Sequence, residues 1–151
     1  MAAKIRFIAG LALVLCLAAG GGLAWAGPKD DIKAGNAAAR AGDFARAVQA
    51  YTRAIDSGKL DPYNLAVAFN NRGSAKDDMG DSDGAIEDFK LALKVNPRYA
   101  EAYYNRSFAY ERKGLLPLAV ADIEKALRLS PDDPDYRDRL EYLNQRLARS
   151  R

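Results

Sequence analysis

Residues 66–97 read AVAFNNRGSAKDDMGDSDGAIEDFKLALKVNP, and residues 100–131 read AEAYYNRSFAYERKGLLPLAVADIEKALRLSP. The two stretches align without a gap at a spacing of 34 residues. Each has an aromatic residue, a small residue, then alanine, a large apolar residue, a second alanine and a closing proline. These positions are Phe69, Gly73, Ala85, Phe89, Ala92 and Pro97 in the first stretch and Tyr103, Ser107, Ala119, Ile123, Ala126 and Pro131 in the second. A period of this length predicts an array of repeated supersecondary units.

A third, more degenerate copy lies upstream at a constant offset of 38 residues. Its matching positions are Gly35, Gly42, Ala47, Tyr51 and Ala54. The four additional residues fall in the connection at residues 57–62, where solvated backbone tolerates insertions. We therefore expect three repeats, at about residues 28–61, 66–99 and 100–133.

This pattern resembles the tetratricopeptide repeat, which is a helix-turn-helix unit. The resemblance implies an all-α, right-handed α-solenoid of three repeats followed by a C-terminal capping helix. An amphipathic pattern at residues 133–149, with Tyr136, Leu140, Leu143 and Leu147 on one stripe, predicts that helix. It would cover the apolar face of the last repeat. The alternative is a helix that forms a dimer.

Residues 1–26 differ in character from the rest of the chain. Lys4 and Arg6 precede an uncharged apolar run, and the segment ends in Ala24-Trp25-Ala26. A positive start, an apolar middle and an A-x-A end are typical of a cleavable secretory signal. The expected mature domain is residues 27–151, exported to the periplasm or secreted from a bacterium. The alternative is an uncleaved inner-membrane anchor at residues 7–26.

The composition excludes several kinds of chemistry. The chain has no histidine, and its one cysteine, Cys16, lies in the expected signal, so neither thiolate nor imidazole catalysis is expected. Removing Lys4 and Arg6 with the signal lowers the net charge from +3 to +1, which gives no clustered basic face for nucleic acid. We expect no enzyme activity, no cofactor and no metal. The acids at residues 77–83 resemble a calcium loop, but Met79 and Lys90 occupy ligand positions.

Two repeats carry an arginine with an acid sixteen residues later. The pairs are Arg72 with Asp88 and Arg106 with Asp122, and the first repeat has Ala34 and Ala50 at the equivalent positions. Loss of both charges together is expected for an internal ion pair, because one buried charge left alone is costly. The alternative is that the two arginines bind an acidic ligand.

The resemblance also implies a concave groove lined by the first helix of each repeat. The groove-facing positions are Lys33, Asn36, Arg40, Asn70, Asn71, Tyr104, Asn105 and Phe108, together with Ile32, Ser74, Asp78 and Arg112. Because a side-chain amide both donates and accepts, Asn71 and Asn105 are expected to hold a peptide backbone. Tyr104 and Phe108 are expected to form an exposed aromatic step for an apolar side chain. Two alternatives stay open: the asparagines are only solvated, and Tyr104 packs under the C-terminal helix.

The chaperone-binding branch of the family uses a clamp of three cations and two asparagines. Asn36 and Asn71 match the asparagines, but Ile32, Asn105 and Ala109 stand where the cations belong. The sequence therefore predicts a scaffold or adaptor of the bacterial cell envelope that binds a peptide or helix of another protein, with Lys33 and Arg40 selecting acidic residues near one end. A monomer is expected. The alternatives are a self-associating structural protein and a membrane-anchored assembly factor.

Overall fold

The computed structural model describes residues 27–150, and within this range the chain forms helices and no strand. The helices are α1 (Pro28–Arg40), α2 (Phe44–Asp56), α3 (Pro62–Asp78), α4 (Ser82–Val95), α5 (Ala100–Arg112), α6 (Leu116–Leu129) and α7 (Pro134–Arg149). The all-α prediction is confirmed for these residues. The predicted signal peptide and its alternative, an anchor at residues 7–26, lie outside them. No helix in the described range is long and apolar enough to cross a membrane.

Repeated local signals set the ends of the helices. Asp43, Asp61 and Asp81 accept hydrogen bonds from backbone N–H groups three residues later, at 2.9 to 3.0 Å. Each carboxylate thereby satisfies a donor that has no partner within the first turn of α2, α3 or α4. Gly42 and Gly80 follow α1 and α3 with φ of 75° and 86°, a left-handed conformation that favours glycine. Each helix pair is therefore closed by a similar short turn.

Each helix packs against the one before it, and the odd-numbered helices α1, α3 and α5 also contact one another in order. These three helices therefore form a continuous row, and the candidate site lies along it. The number of repeats and the right-handed sense of their stacking remain predictions.

Small residues allow the two helices of a pair to approach closely. A Cβ added to Gly35 would lie 2.5 Å from Cε1 of Tyr51, and one added to Gly73 would lie 2.9 Å from Cε1 of Phe89. Both distances are too short for any larger side chain. The repeated alanines are also completely buried; they are Ala47, Ala54, Ala85, Ala92, Ala119 and Ala126. The spacing of small and large residues that recurs within this chain is thus a packing requirement.

The C-terminal helix α7 covers the last helix pair. Asp133 caps it by accepting from the N–H groups of Asp135 and Tyr136, at 3.0 and 3.3 Å. Leu143 is fully buried and belongs to the same apolar cluster as Ile123 of α6. The amphipathic stripe seen in the sequence is therefore the face that α7 buries.

We expect Ala126→Leu to lower the free energy of unfolding by about 1–3 kcal/mol, because the added methylene groups have no space between α6 and its neighbours. Ala121→Leu is the matched control, since Ala121 is exposed on the same helix. Urea unfolding of both variants and the wild type measures the difference. Equal stabilities for the two variants would contradict the close approach.

Candidate functional site

A chain of side-chain amides crosses the row of odd-numbered helices. Asn71 Nδ2 on α3 donates to Asn36 Oδ1 on α1 at 3.1 Å, and Asn105 Nδ2 on α5 donates to Asn70 Oδ1 on α3 at 3.0 Å. Asn70 Nδ2 joins the two halves by donating to Asn71 Oδ1 at 3.2 Å. The Tyr51 hydroxyl ends the chain by donating to Asn36 Oδ1 at 2.8 Å. Polar side chains from four helices are therefore held in one network.

The four asparagines differ in how far a ligand can reach them. Asn70 is only 1% exposed and also lies 3.5 Å from the Tyr99 hydroxyl, so the prediction that it lines the groove is wrong. It is a buried linker between neighbouring helices. Asn36, Asn71 and Asn105 are half-buried. A primary amide has two donor and two acceptor sites, so these three retain capacity beyond the bonds they make to one another.

The predicted aromatic step is partly covered by α7. The rings of Tyr104 and Phe108 meet edge to face with centroids 5.1 Å apart, and Tyr104 also stacks on Tyr136 of α7 at 4.9 Å. Burial raises the pKa of the Tyr104 hydroxyl. Tyr104 therefore packs against the C-terminal helix, as the alternative reading of the sequence expected, and it is half-buried instead of fully exposed. Phe108 keeps one side toward an open cleft.

That cleft lies between α3 and α5. Its lining consists of Ser74, Asp77, Asp78, Phe89, Asn105, Phe108 and Arg112. Arg112 Nε lies 3.3 Å from Asp77 Oδ2, and its Nη1 donates to the Asp77 carbonyl oxygen at 2.9 Å. Half of the Arg112 side chain is exposed, whereas Asp77 is buried. The buried carboxylate therefore holds the guanidinium group in place while part of that group stays accessible to solvent. The cleft thus combines an aromatic side chain, an amide, a fixed cation and the exposed carboxylate of Asp78.

The α1 residues that the sequence analysis placed in the groove do not line this cleft. Lys33 is largely exposed and pairs with Asp30 at 3.1 Å, and Arg40 is exposed at the end of the helix. Ile32 faces the interior instead of the groove, because it is 7% exposed and packs in the first apolar cluster. The α1 end of the row therefore offers cationic side chains on an open surface.

The arginine and aspartate pairs lie between the helices of a pair. Arg72 binds Asp88 with two hydrogen bonds, of 2.6 and 2.8 Å, and Arg106 binds Asp122 with two of 2.7 Å. This bidentate geometry occupies the guanidinium groups with internal carboxylates. Arg72 Nη1 also donates to Thr52 Oγ1 on α2 at 3.1 Å, so one pair contacts the preceding helix. Burial raises the pKa of Asp122, although the bonds from Arg106 oppose that change.

Two further charged residues were not identified from the sequence. Lys76 Nζ lies 2.8 Å from Asp88 Oδ2, and it occurs one turn after Arg72 on α3, a spacing that was visible in the sequence. Arg139 of α7 is 8% exposed, with its guanidinium carbon 3.7 Å from the centre of the Phe108 ring and its Nη1 2.7 Å from Glu111 Oε2. Arg139 lies three residues after Tyr136 and four before Leu143, so its place on the buried stripe of α7 was visible in the helical spacing, although a charged residue is rarely buried.

Three of the four acidic residues at 77–83 have structural partners in the described part of the chain. Asp81 caps α4, and Asp77 Oδ1 accepts from the Ser82 hydroxyl at 2.7 Å. Among residues 27–150, no group of three or more histidine, cysteine, aspartate or glutamate side chains is placed to hold a metal ion. Asp77 and Asp81 therefore serve the α3–α4 turn, whereas Asp83 pairs with Lys113 of the α5–α6 turn.

The chain belongs to the tetratricopeptide repeat family. The model of a tetratricopeptide repeat matches residues 32–76 and 70–134, which together make up more than half of the chain. The geometry fits this membership, because helix pairs of similar construction stack on one another and leave a row of first helices along one face.

Named relatives share the repeat region. Small glutamine-rich tetratricopeptide repeat-containing protein 2 of Mycosarcoma maydis is 33% identical over 116 residues, which are 77% of this chain and 32% of that protein. Protein FlbA of Caulobacter vibrioides is 39% identical over 70 residues, which are 46% of this chain and 12% of that protein. The chain spans about a third or less of the length of these relatives.

Two similar solved structures are complexes with peptides. The first tetratricopeptide domain of Spaghetti (RPAP3), bound to the HSP90 peptide SRMEEVD, has a TM-score of 0.73 and 30% identity, with 80% of this chain and 93% of that one covered. The second such domain of human RPAP3, in complex with the HSP70 peptide SGPTIEEVD, has a TM-score of 0.68 and 27% identity, covering 78% and 98%.

We expect Arg106→Met to destabilise the protein by about 3–5 kcal/mol, because it leaves the Asp122 carboxylate buried without its partner. The double variant Arg106→Met with Asp122→Leu should recover most of that loss. Urea unfolding of the wild type, both single variants and the double variant measures the coupling. If the losses in unfolding free energy of the two single variants simply add up in the double variant, the internal ion pair is contradicted.

We expect the stability contribution of Glu111 to depend on pH. Although burial raises the pKa of Glu111, hydrogen bonds from Arg139 and Tyr142, the charge of Arg139 and a hydrogen bond from Arg146 together lower it below the usual 4.5. Its contribution is therefore fully present above the unfolded-state pKa and is lost as the pH falls through the folded-state value.

The measurement is the difference in unfolding free energy between the wild type and Glu111→Gln, taken from pH 7 down through that range. The difference should shrink on acidification, whereas Glu141→Gln, at an exposed position of α7, should show little effect at any pH. A wild-type advantage over Glu111→Gln that persists unchanged at low pH would refute the assignment.

Proposed function

We propose that this protein is an interaction module that binds an extended peptide or a helix of a partner protein along the row formed by α1, α3 and α5. The observation that carries the proposal is the amide network, in which Asn36, Asn71 and Asn105 present half-buried amides on three successive first helices. Neutral groups that both donate and accept suit a peptide backbone, whatever its side chains.

The dimensions of the row favour a short segment. Packed helices lie about 8–10 Å apart, so three adjacent helices span about 18 Å between the first and last axis. An extended chain rises about 3.3 Å per residue, so five or six residues, roughly, cover that distance. The partner segment we propose is of this length.

The cleft at α5 supplies chemical selectivity in this proposal. Phe108 offers an aromatic surface for an apolar side chain, and the exposed part of Arg112 offers donors to a carboxylate or a carbonyl oxygen. At the other end of the row, Lys33 and Arg40 favour acidic residues. Both ends of the row therefore carry cations, with neutral amides between them and the Asp78 carboxylate beside Arg112 in the cleft.

The similarity to the RPAP3 domains supports peptide binding as the activity. The side chains at the equivalent cationic positions argue for a different ligand from theirs. Ile32 is 7% exposed, Ala109 is completely buried, and Asn105 is uncharged and bonded to Asn70. We therefore do not assign this chain an acidic chaperone tail as its ligand.

We place the module in a bacterial cell envelope, as a periplasmic or secreted scaffold or adaptor. The composition of residues 1–26 supports this location. Amino-terminal sequencing of the protein recovered from the periplasm tests it, and Gly27 is the expected first residue.

Quantitative affinity capture from an envelope extract tests the groove. We expect Asn71→Ala with Asn105→Ala to reduce recovery of the specific partner by at least about tenfold, because each lost amide leaves a peptide polar group unpaired at about 1–3 kcal/mol. Ser74→Trp, which fills the cleft without removing an observed hydrogen bond, should have the same effect.

Ala121→Trp is the control, because it places the same ring on an exposed position of α6. It should recover the partner as the wild type does. Equal recovery by the wild type and both groove variants would show that the partner binds elsewhere. Circular dichroism of each variant checks that the helices are intact.

A further inference from the structure

One edge of the array carries most of the large hydrophobic side chains that are exposed among the described residues. Within residues 27–150, six large hydrophobic residues are exposed. Four of them are Met79 at 56%, Leu115 at 39%, Leu118 at 47% and Tyr142 at 46%. Met79 follows α3, Leu115 and Leu118 lie where α5 passes into α6, and Tyr142 lies in the second half of α7. We call residues 78–83, 112–118 and 142–150 the loop edge.

Contacts make the loop edge one continuous surface. Lys113 pairs with Asp83, which joins the α5–α6 turn to the start of α4. The Tyr142 hydroxyl donates to Glu111 Oε1 at 3.0 Å, and Leu116, Tyr142 and Arg146 line a common cleft with Arg149. The segments that carry the exposed apolar residues are therefore joined along one margin of the array.

The two halves of the loop edge carry opposite charges. The α3–α4 half holds Asp78, Asp81 and Asp83, which are all exposed. The half formed by the α5–α6 turn and the end of α7 holds Lys113, Arg146 and Arg149. A two-fold rotation about the middle of such an edge brings the acidic half of one copy against the basic half of the other.

The basic half also has more guanidinium groups than carboxylates to bind them. Arg146 shares the Glu111 carboxylate with Arg139, and the exposed Arg149 has no ion-pair partner among residues 27–150. A carboxylate from outside the chain therefore improves the electrostatic balance of this half. The acidic half of a second copy supplies such groups next to an exposed apolar residue, Met79.

We propose that the loop edge is the interface of a two-fold dimer of this chain. Exposed apolar side chains grouped on one margin mark an association surface. An isologous interface must be complementary to itself, and an edge that has an acidic half, a basic half and apolar residues in both satisfies that condition. The proposal departs from the monomer expected from the sequence and is independent of the ligand of the groove.

Sedimentation equilibrium of the full chain tests the dimer. The edge variant is Met79→Ser with Leu118→Ser. The matched control is Tyr63→Ser with Leu91→Ser, which removes the other two exposed large hydrophobic residues of the described range. We expect the wild type and the control to dimerise with equal Kd, and the Kd of the edge variant to rise at least about tenfold, because buried apolar area drives association.

A second variant, Arg149→Glu, reverses a charge without touching the apolar residues. Its Kd should rise as well, and the wild-type dimer should weaken at high salt. If circular dichroism shows that the edge variant has lost its helices, the Kd of Arg149→Glu is the measurement that tests the dimer. The proposal is overturned if the wild type stays monomeric at all concentrations. It is also overturned if the wild type binds acidic peptides or anionic vesicles as a monomer. A dimer that neither variant weakens overturns it as well.

Discussion

The close approach of the two helices within each pair is the constraint on which the rest of this structure depends. Gly35 faces the ring of Tyr51, and Gly73 faces the ring of Phe89, at distances that leave no room for a Cβ atom. The buried alanines on the second helices allow the same approach. Because each contact recurs at the repeat period, every pair presents its first helix in a similar position. The row of α1, α3 and α5 follows from that repetition.

Charged residues between the helices complete this framework. Arg72 and Arg106 each donate two hydrogen bonds to an internal aspartate. The guanidinium carbon of Arg72 lies 5.6 Å from the ring centre of Phe69, and that of Arg106 lies 5.6 Å from the ring centre of Tyr103. These guanidinium groups hold helices together and are not free for a ligand. The surface of the row also varies from one repeat to the next. Asn36, Ser74 and Phe108 occupy equivalent positions there, and they change from amide to hydroxyl to aromatic ring.

The repeat period made the helical fold and the positions of the small residues predictable, because both depend on spacing that is visible in the sequence. Side-chain exposure on the first helices was harder to predict. Asn70 and Asn71 are adjacent, yet one is buried and one is half-buried, because consecutive residues point about 100° apart around a helix and the repeat spacing does not say which of the two faces a neighbouring helix. The partners of Tyr104 and Arg139 depend on how α7 lies against α5, and the spacing of residues along either helix does not specify that contact. The sites that were misassigned are those set by packing between elements distant in sequence.

The central claim is that the framework is internal and that recognition belongs to the face of the odd-numbered helices. Site-specific photo-crosslinking in the cell envelope tests it most directly, with a photoreactive residue placed in turn at Ser74, Arg112, Ala121 and Glu124. Ser74 and Arg112 line the cleft, whereas Ala121 and Glu124 are exposed on α6. The account predicts one partner protein crosslinked from both cleft positions and from neither position on α6. The same partner crosslinked from α6 and not from the cleft would contradict it.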